Sequence, residues 1–258
     1  MKLGYLSIPP AAGSGRPAGG YAADNRARLA EALGFSEFYA ARCDTGSGPL
    51  VLEDQPLLHI LPDTPARRLP HLVVVGDDSP RRTGPLAAPT ACADAVRAGS
   101  ARGHAPFSVS WLDSDMLARH WAAHVTGCTH SGRCARAQDW RVARTVIVDP
   151  DAARAEALAK APGSPCRDYY RKTLPAGACD TALEALIDAC VLFGSPGDVM
   201  ARIAALTEVS ASFGTLTLID HAWPDAARAR RSMMLFAEAM LDSHHSLTQR
   251  KVRKLELA

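Results

Sequence analysis

Residues 194–206, GSPGDVMARIAAL, and 213–240, FGTLTLIDHAWPDAARARRSMMLFAEAM, carry the pattern that decides the fold. Ser195 before Pro196 reads as a helix start, because a serine hydroxyl caps free backbone N–H groups and the fixed φ of proline suits a first turn. The apolar spacing carries that helix from Pro196 to Ser210. Gly214 to Ile219 reads as a strand, and Asp220-His221-Ala222-Trp223 follows it directly. A long amphipathic helix is predicted over Asp225 to Leu241, so the segment is a helix, a strand and a helix in close succession.

Working back from that segment, the alternation continues. Ala178 to Leu192 reads as another amphipathic helix, Pro162 to Gly177 as a connector, and Asp151 to Lys160 as a helix placed after a clear strand at Arg141 to Val148. Gly127 to Ala137 reads as a loop, preceded by a helix from Asp113 to about Val125, a strand at Pro106 to Trp111, and helical residues within Pro85 to Arg97. Further back lie two strand candidates, Pro56 to Leu61 and His71 to Val75; the second holds the continuous LVVV run expected of a strand buried on both faces. The chain opens with a strand at Leu3 to Ile8, a loop at Pro9 to Gly20, a helix at Tyr21 to Leu33 stopped by Gly34, and a strand at Phe35 to Ala41. Strands that alternate with helices in this way predict an α/β class with a mainly parallel sheet.

Composition narrows the function. The 258 residues hold 29 Lys and Arg against 27 Asp and Glu, a formal charge of +2, and so no field strong enough to call for nucleic acid or an anionic membrane. No apolar run approaches a membrane span, and the N-terminus lacks the long apolar segment of a secretory signal. The seven Cys show no paired CxxC spacing, which suits a reducing, cytoplasmic setting. Residues 1–247 read as one domain and residues 248–258 as a basic, polar tail. There is no GxSxG elbow, no phosphate-loop motif, no HExxH, and no dinucleotide fingerprint after a strand. His120, His124, Cys128, His130 and Cys134 include an i, i+4, i+8 row that would suit zinc; the favoured reading is ordinary helix and loop residues with no metal.

The C-terminal segment resembles the end of the bacterial luciferase family, and in particular the limonene-monooxygenase-like branch, where a comparable strand ends in an Asp-His-x-Trp turn. LAEALGFSEFYAAR (29–42) resembles the first helix and second strand of that family. QPLLHILPDTPARRLPHLVVVGDDSPRRTG (55–84) is similar to its hairpin and fifth strand, DWRVARTVIVDPDAARAEAL (139–158) to its seventh strand and following helix, and CRDYYRKTLP (166–175) to the connector after it. The resemblance implies a shortened or modified TIM-type (β/α) barrel with about six parallel strands. Strands one, two, five, six, seven and eight are retained, while strands three and four are absent. Because strand number is tied to tilt and shear, such a barrel closes tighter or leaves an open edge. A partner copy could cover that edge, and with the wide apolar faces of the helices at 178–192 and 196–210 this points to a homodimer.

The same resemblance implies a flavin-dependent monooxygenase acting with O2 on a small organic substrate. Reduced FMN would come from a separate flavin reductase in trans, with F420 as a less favoured cofactor. A ligand-binding member without turnover and a cofactor-independent enzyme reusing the pocket are the alternatives. His221, Asp220 and Cys43 are the expected catalytic residues; Cys43 and Asp44 stand where the family commonly carries two His. Gly76, Ser79, Arg81 and Arg82 would hold the cofactor phosphate through a hydroxyl, amides and guanidinium groups. Trp111, Trp223 and Tyr169 would wall the substrate pocket, with Tyr170 beside them.

Overall fold

The first strand of the chain lies against its last. In the computed structural model, which describes residues 1–7, 26, 28–40, 90–210, 212–221 and 223–256, β1 (Lys2–Ser7) pairs in parallel with β6 (Thr215–Asp220) from Lys2↔Thr215 to Ser7↔Asp220. On its other side β1 pairs with β2 (Glu37–Ala40), and β6 pairs with β4 (Arg141–Val148), which pairs with the short β3 (Phe107–Ser108). The order β2-β1-β6-β4-β3 therefore follows the chain cyclically, passing from the last strand to the first. A sheet does this when it curls as a barrel does. Among the described residues the curl is open, with β2 and β3 at its ends. β5 (Leu192–Gly194) joins off this path, pairing with Val146 to Val148 at the end of β4.

Helices follow the strands: α1 (Ala93–Ala101), α2 (Ser114–His130), α3 (Ala152–Lys160), α4 (Pro165–Thr173), α5 (Asp180–Cys190), α6 (Pro196–Ser210) and α7 (Ala226–Glu256). Strand alternation divides the side chains. Leu3 and Tyr5 of β1, Val142 of β4, and Leu216 and Leu218 of β6 pack with Val199, Ile203, Met233 and Phe236 of α6 and α7. Leu6, Tyr39, Phe107, Ala143, Ile147 and Ile219 belong to the second core, with Tyr169, Tyr170, Leu183 and Ile187 of α4 and α5. The apolar faces of α5 and α6 are thus packed into this chain's own core. Gly4 sits where β1 meets β6: an added Cβ would lie 2.9 Å from Thr217 Oγ1, so a side chain there would push the two strands apart.

The strand at Arg141–Val148 and the helix at Pro196–Ser210 have the boundaries expected from sequence. Others differ for identifiable reasons. The expected connector at 162–177 holds α4, whose start is set by Ser164 Oγ, which accepts from Arg167 N at 2.9 Å, and by Pro165 in the first turn. α2 runs on through Gly127 to His130 because that glycine lets α1 approach closely; a Cβ there would stand 2.3 Å from Arg97 O. The last helix continues to Glu256, so residues 248–256 extend it. β5 falls at the end of the helix expected at 178–192. The expected strands at 56–61 and 71–75 lie outside the described residues.

At the N-terminal ends of the strands, a buried charge pair ties β2 to β4. Arg141 donates from Nε and Nη2 to Glu37 Oε2 and Oε1, each at 3.0 Å, and Tyr39 OH donates to Oε2 at 2.5 Å. Thr215 of β6 adds a bond to Oε1 at 3.2 Å. Removing one partner leaves the other charge buried without compensation, whereas replacing both need not. Arg141→Met should cost about 3–5 kcal/mol in urea unfolding, and the Glu37→Met/Arg141→Met double variant clearly less. A double variant as unstable as the sum of the singles would contradict this account.

Candidate active site at the strand ends

β4 and β6 diverge after Thr145, which pairs with Ile219. Their ends place two consecutive residues on opposite sides of the sheet. His221 turns to the side of Thr145: its Nε2 lies 2.8 Å from Thr145 Oγ1. Asp220 turns to the helix side, where Tyr5 OH and Arg26 Nε both bond its Oδ2. Burial in apolar surroundings raises the Asp220 carboxyl above its ordinary value, against the lowering effects of Arg26 and Tyr5.

α4 lies across the His221 side. Tyr170 OH donates to Thr145 Oγ1 at 3.3 Å, and Tyr169 OH shares a 2.9 Å hydrogen bond with Ser110 Oγ. The rings of Tyr169 and Trp223 meet the His221 imidazole edge to face at 5.0 and 5.7 Å, and Trp111 tilts against Tyr169 at 6.1 Å. Tyr169 and His221 are buried, while Trp111 and Trp223 are half-buried. Burial raises the hydroxyl pKa of both tyrosines, so each stays protonated. Desolvation lowers His221 to about 3, which keeps the imidazole neutral at physiological pH. What the arrangement offers is a neutral imidazole in a fixed orientation, set among aromatic rings at the strand ends.

Arg144 holds the Trp111 turn. Fully buried on β4, it donates from Nη1 to Ser110 O at 3.2 Å and from Nη2 to Leu112 O at 2.7 Å, so its two bonds bracket Trp111. Its Nε finds no hydrogen-bond partner among the described residues.

Of the residues expected from sequence, the fold brings Trp111, Tyr169, His221 and Trp223 together. It turns Asp220 away from them, because consecutive residues leaving a strand face opposite sides. Cys43, Gly76, Ser79, Arg81 and Arg82 lie outside the described residues. Thr145, Ser110 and Arg144 were not anticipated; the one signal for them was a basic residue inside the otherwise apolar strand RVARTVIV.

The His/Cys row of α2 is structural. His120 Nδ1 pairs with Ser108 Oγ at 3.0 Å, its Nε2 with Ala91 O at 3.1 Å, and His124 Nδ1 with Ser100 Oγ at 2.8 Å. Both rings are buried rather than part-exposed, while His130 and Cys134 point to solvent. Among the described residues no group of three His, Cys, Asp or Glu is placed to hold a metal ion, and no helix is long and apolar enough to cross a membrane.

The sheet topology is that of an open, modified TIM-type (β/α) barrel, and solved structures share the fold. A monooxygenase from Streptomyces bottropensis, RslO1, superposes with a TM-score of 0.66 at 15% identity, over 95% of this chain and all 100% of that one. An F420-dependent secondary alcohol dehydrogenase, solved with an F420-acetone adduct, gives 0.57 at 11% identity, over 93% and 98%. The oxygenating constituent of 3,6-diketocamphane monooxygenase from Pseudomonas putida, solved with FMN, matches at 26% identity with a TM-score of 0.46; that match covers 56% of this chain and less than half, 44%, of the other. No family model and no curated protein matches the sequence. The likeness is therefore one of fold.

Because native His221 resists protonation, the unfolded chain takes up a proton that the folded chain does not as pH falls from about 6.5 toward 3. Stability is lost over that window, and His120 and His124, also lowered by burial, act in the same direction. His221→Asn should lose less stability than wild type between about pH 7 and 4.5, read as the shift of the urea midpoint. An equal shift in both proteins would refute the neutral assignment.

Proposed function

We propose that the protein is a flavin-dependent oxidoreductase of the luciferase-like monooxygenase type, of the limonene-monooxygenase-like branch, acting with O2 on a small organic molecule at the C-terminal ends of β4 and β6. The observation that carries the reading is the aromatic corner around His221, set at strand ends of a TIM-type fold, where barrel enzymes carry their active sites. Reduced FMN, delivered by a separate flavin reductase, is the proposed cofactor, and F420 is the alternative. When bound, the flavin would supply electrons for oxygen activation.

The donor set suits such a group in two parts. The half-buried Trp111 and Trp223 offer flat apolar surface to a planar ring system, next to the buried Tyr169. Phosphate binding is assigned to Gly76, Ser79, Arg81 and Arg82, whose hydroxyl, backbone amides and guanidinium groups suit it.

Thr145 engages His221 Nε2 and fixes the ring, which leaves Nδ1 of the neutral imidazole as the atom to hydrogen-bond the substrate. Tyr169 and Tyr170 cover the ring and exclude water, and Arg144 keeps Trp111 in place as a pocket wall. Cys43 is retained as a proposed catalytic residue on the sequence resemblance. The reading also includes a homodimer as the working state.

Titration of purified protein with FMN should quench flavin fluorescence. Trp111→Ala and Trp223→Ala should weaken that binding about tenfold, roughly 1.4 kcal/mol. With NADH and a flavin reductase present, His221→Asn should keep flavin binding and lose about a hundredfold or more of substrate-dependent O2 uptake. Absence of binding by both FMN and F420 would overturn the proposal.

A further inference from the structure

We infer that a cavity on the helix side of β4 and β6 is a binding site for a small apolar molecule bearing one hydroxyl group, which donates to Asp220. The cavity encloses about 470 Å³ between the two strand ends, α3, the turn at 161–165 and the first turns of α7. That volume falls within the range of about 300–1,000 Å³ typical of small-molecule sites. Val146, Leu158, Leu218, Met233 and Phe236 contribute apolar wall, and Trp223 closes the side nearest His221. The inference stands apart from the flavin reading, since Asp220 and His221 leave β6 on opposite faces.

The polar element is Asp220, whose side chain is 4% exposed yet lines the cavity. Tyr5 and Arg26 both bind Oδ2, and Oδ1 accepts no hydrogen bond from a described residue. A carboxylate has room for about four hydrogen bonds, so Asp220 at the cavity wall retains capacity for a donor from a ligand. A hydroxyl donor fills it. An ammonium group fits less well, because Arg26 already offsets the charge and a second cation would stand uncompensated in apolar surroundings. A carboxylate ligand would be repelled, and a ketone has nothing to donate. At the rim, Arg154 and Arg228 are occupied by Asp149 and Asp225 and do not recruit an anion.

The test uses the full chain free of flavin and isothermal titration with four compounds of one shape: 1-adamantanol, 2-adamantanone, protonated 1-adamantanamine and 1-adamantanecarboxylate. The alcohol should bind, and the other three should bind about tenfold more weakly or not at all. Ala229→Phe, which fills the cavity from half-buried α7 surface, should abolish alcohol binding while circular dichroism and melting stay unchanged. Asp220→Asn should bring alcohol and ketone to within about threefold of each other. If that variant fails to fold, the four compounds and Ala229→Phe decide alone. No binding of the alcohol, equal binding of the ketone, preference for the amine, or full binding by Ala229→Phe would each overturn the inference.

Discussion

The pairing of β1 with β6 is the constraint on which the rest depends. These strands lie at opposite ends of the sequence, yet they share a six-residue parallel register, and β4 continues the sheet on the far side of β6. Closing so long a loop costs entropy that only sustained pairing and burial repay. Gly4 permits the close approach, and Leu3 and Tyr5 of β1 join Leu216 and Leu218 of β6 in the core beneath α6 and α7. Slipping the register by one residue would exchange the two buried faces of β6, turning its leucines away from α6 and α7 and its threonines toward them.

The same alternation organises the chemistry. Asp220 and His221 are adjacent in sequence and separated in space, because a strand sends consecutive side chains to opposite sides. On one side, Thr145, Tyr169 and Trp223 hold a neutral imidazole. On the other, Tyr5 and Arg26 hold a carboxylate at the wall of a cavity. Trp223 touches both, packing on His221 while lining the cavity, and is the one described side chain named in both sites.

Much of the fold was legible because its elements carry strong local signals. RVARTVIV reads as a strand on composition, and Ser195-Pro196 marks a helix start on capping chemistry. α4 was missed because prolines and glycines on either side of it suggested a connector, although Cys166, Tyr169 and Tyr170 already stood at helical spacing behind a Ser-Pro start. β5 is three residues long and gains its strand character from pairing with β4, which no local pattern encodes. In the site, the aromatic residues and His221 were readable from a resemblance in sequence. Thr145, Ser110 and Arg144 acquire their roles through contacts distant in sequence, such as Arg144 with Leu112 and Thr145 with His221. The expectations for Cys43 and for residues 76–82 concern parts of the chain outside those described.

The measurement that bears most directly on this account is the set of cross-strand amide contacts of residues 2–7 by nuclear magnetic resonance on isotopically labelled protein. The account predicts contacts between the Tyr5 and Leu218 segments and between the Leu6 and Ile219 segments, with slow hydrogen exchange in both strands. Contacts of residues 2–7 with a different strand, or rapid exchange throughout them, would contradict the cyclic sheet and the site built on its rim.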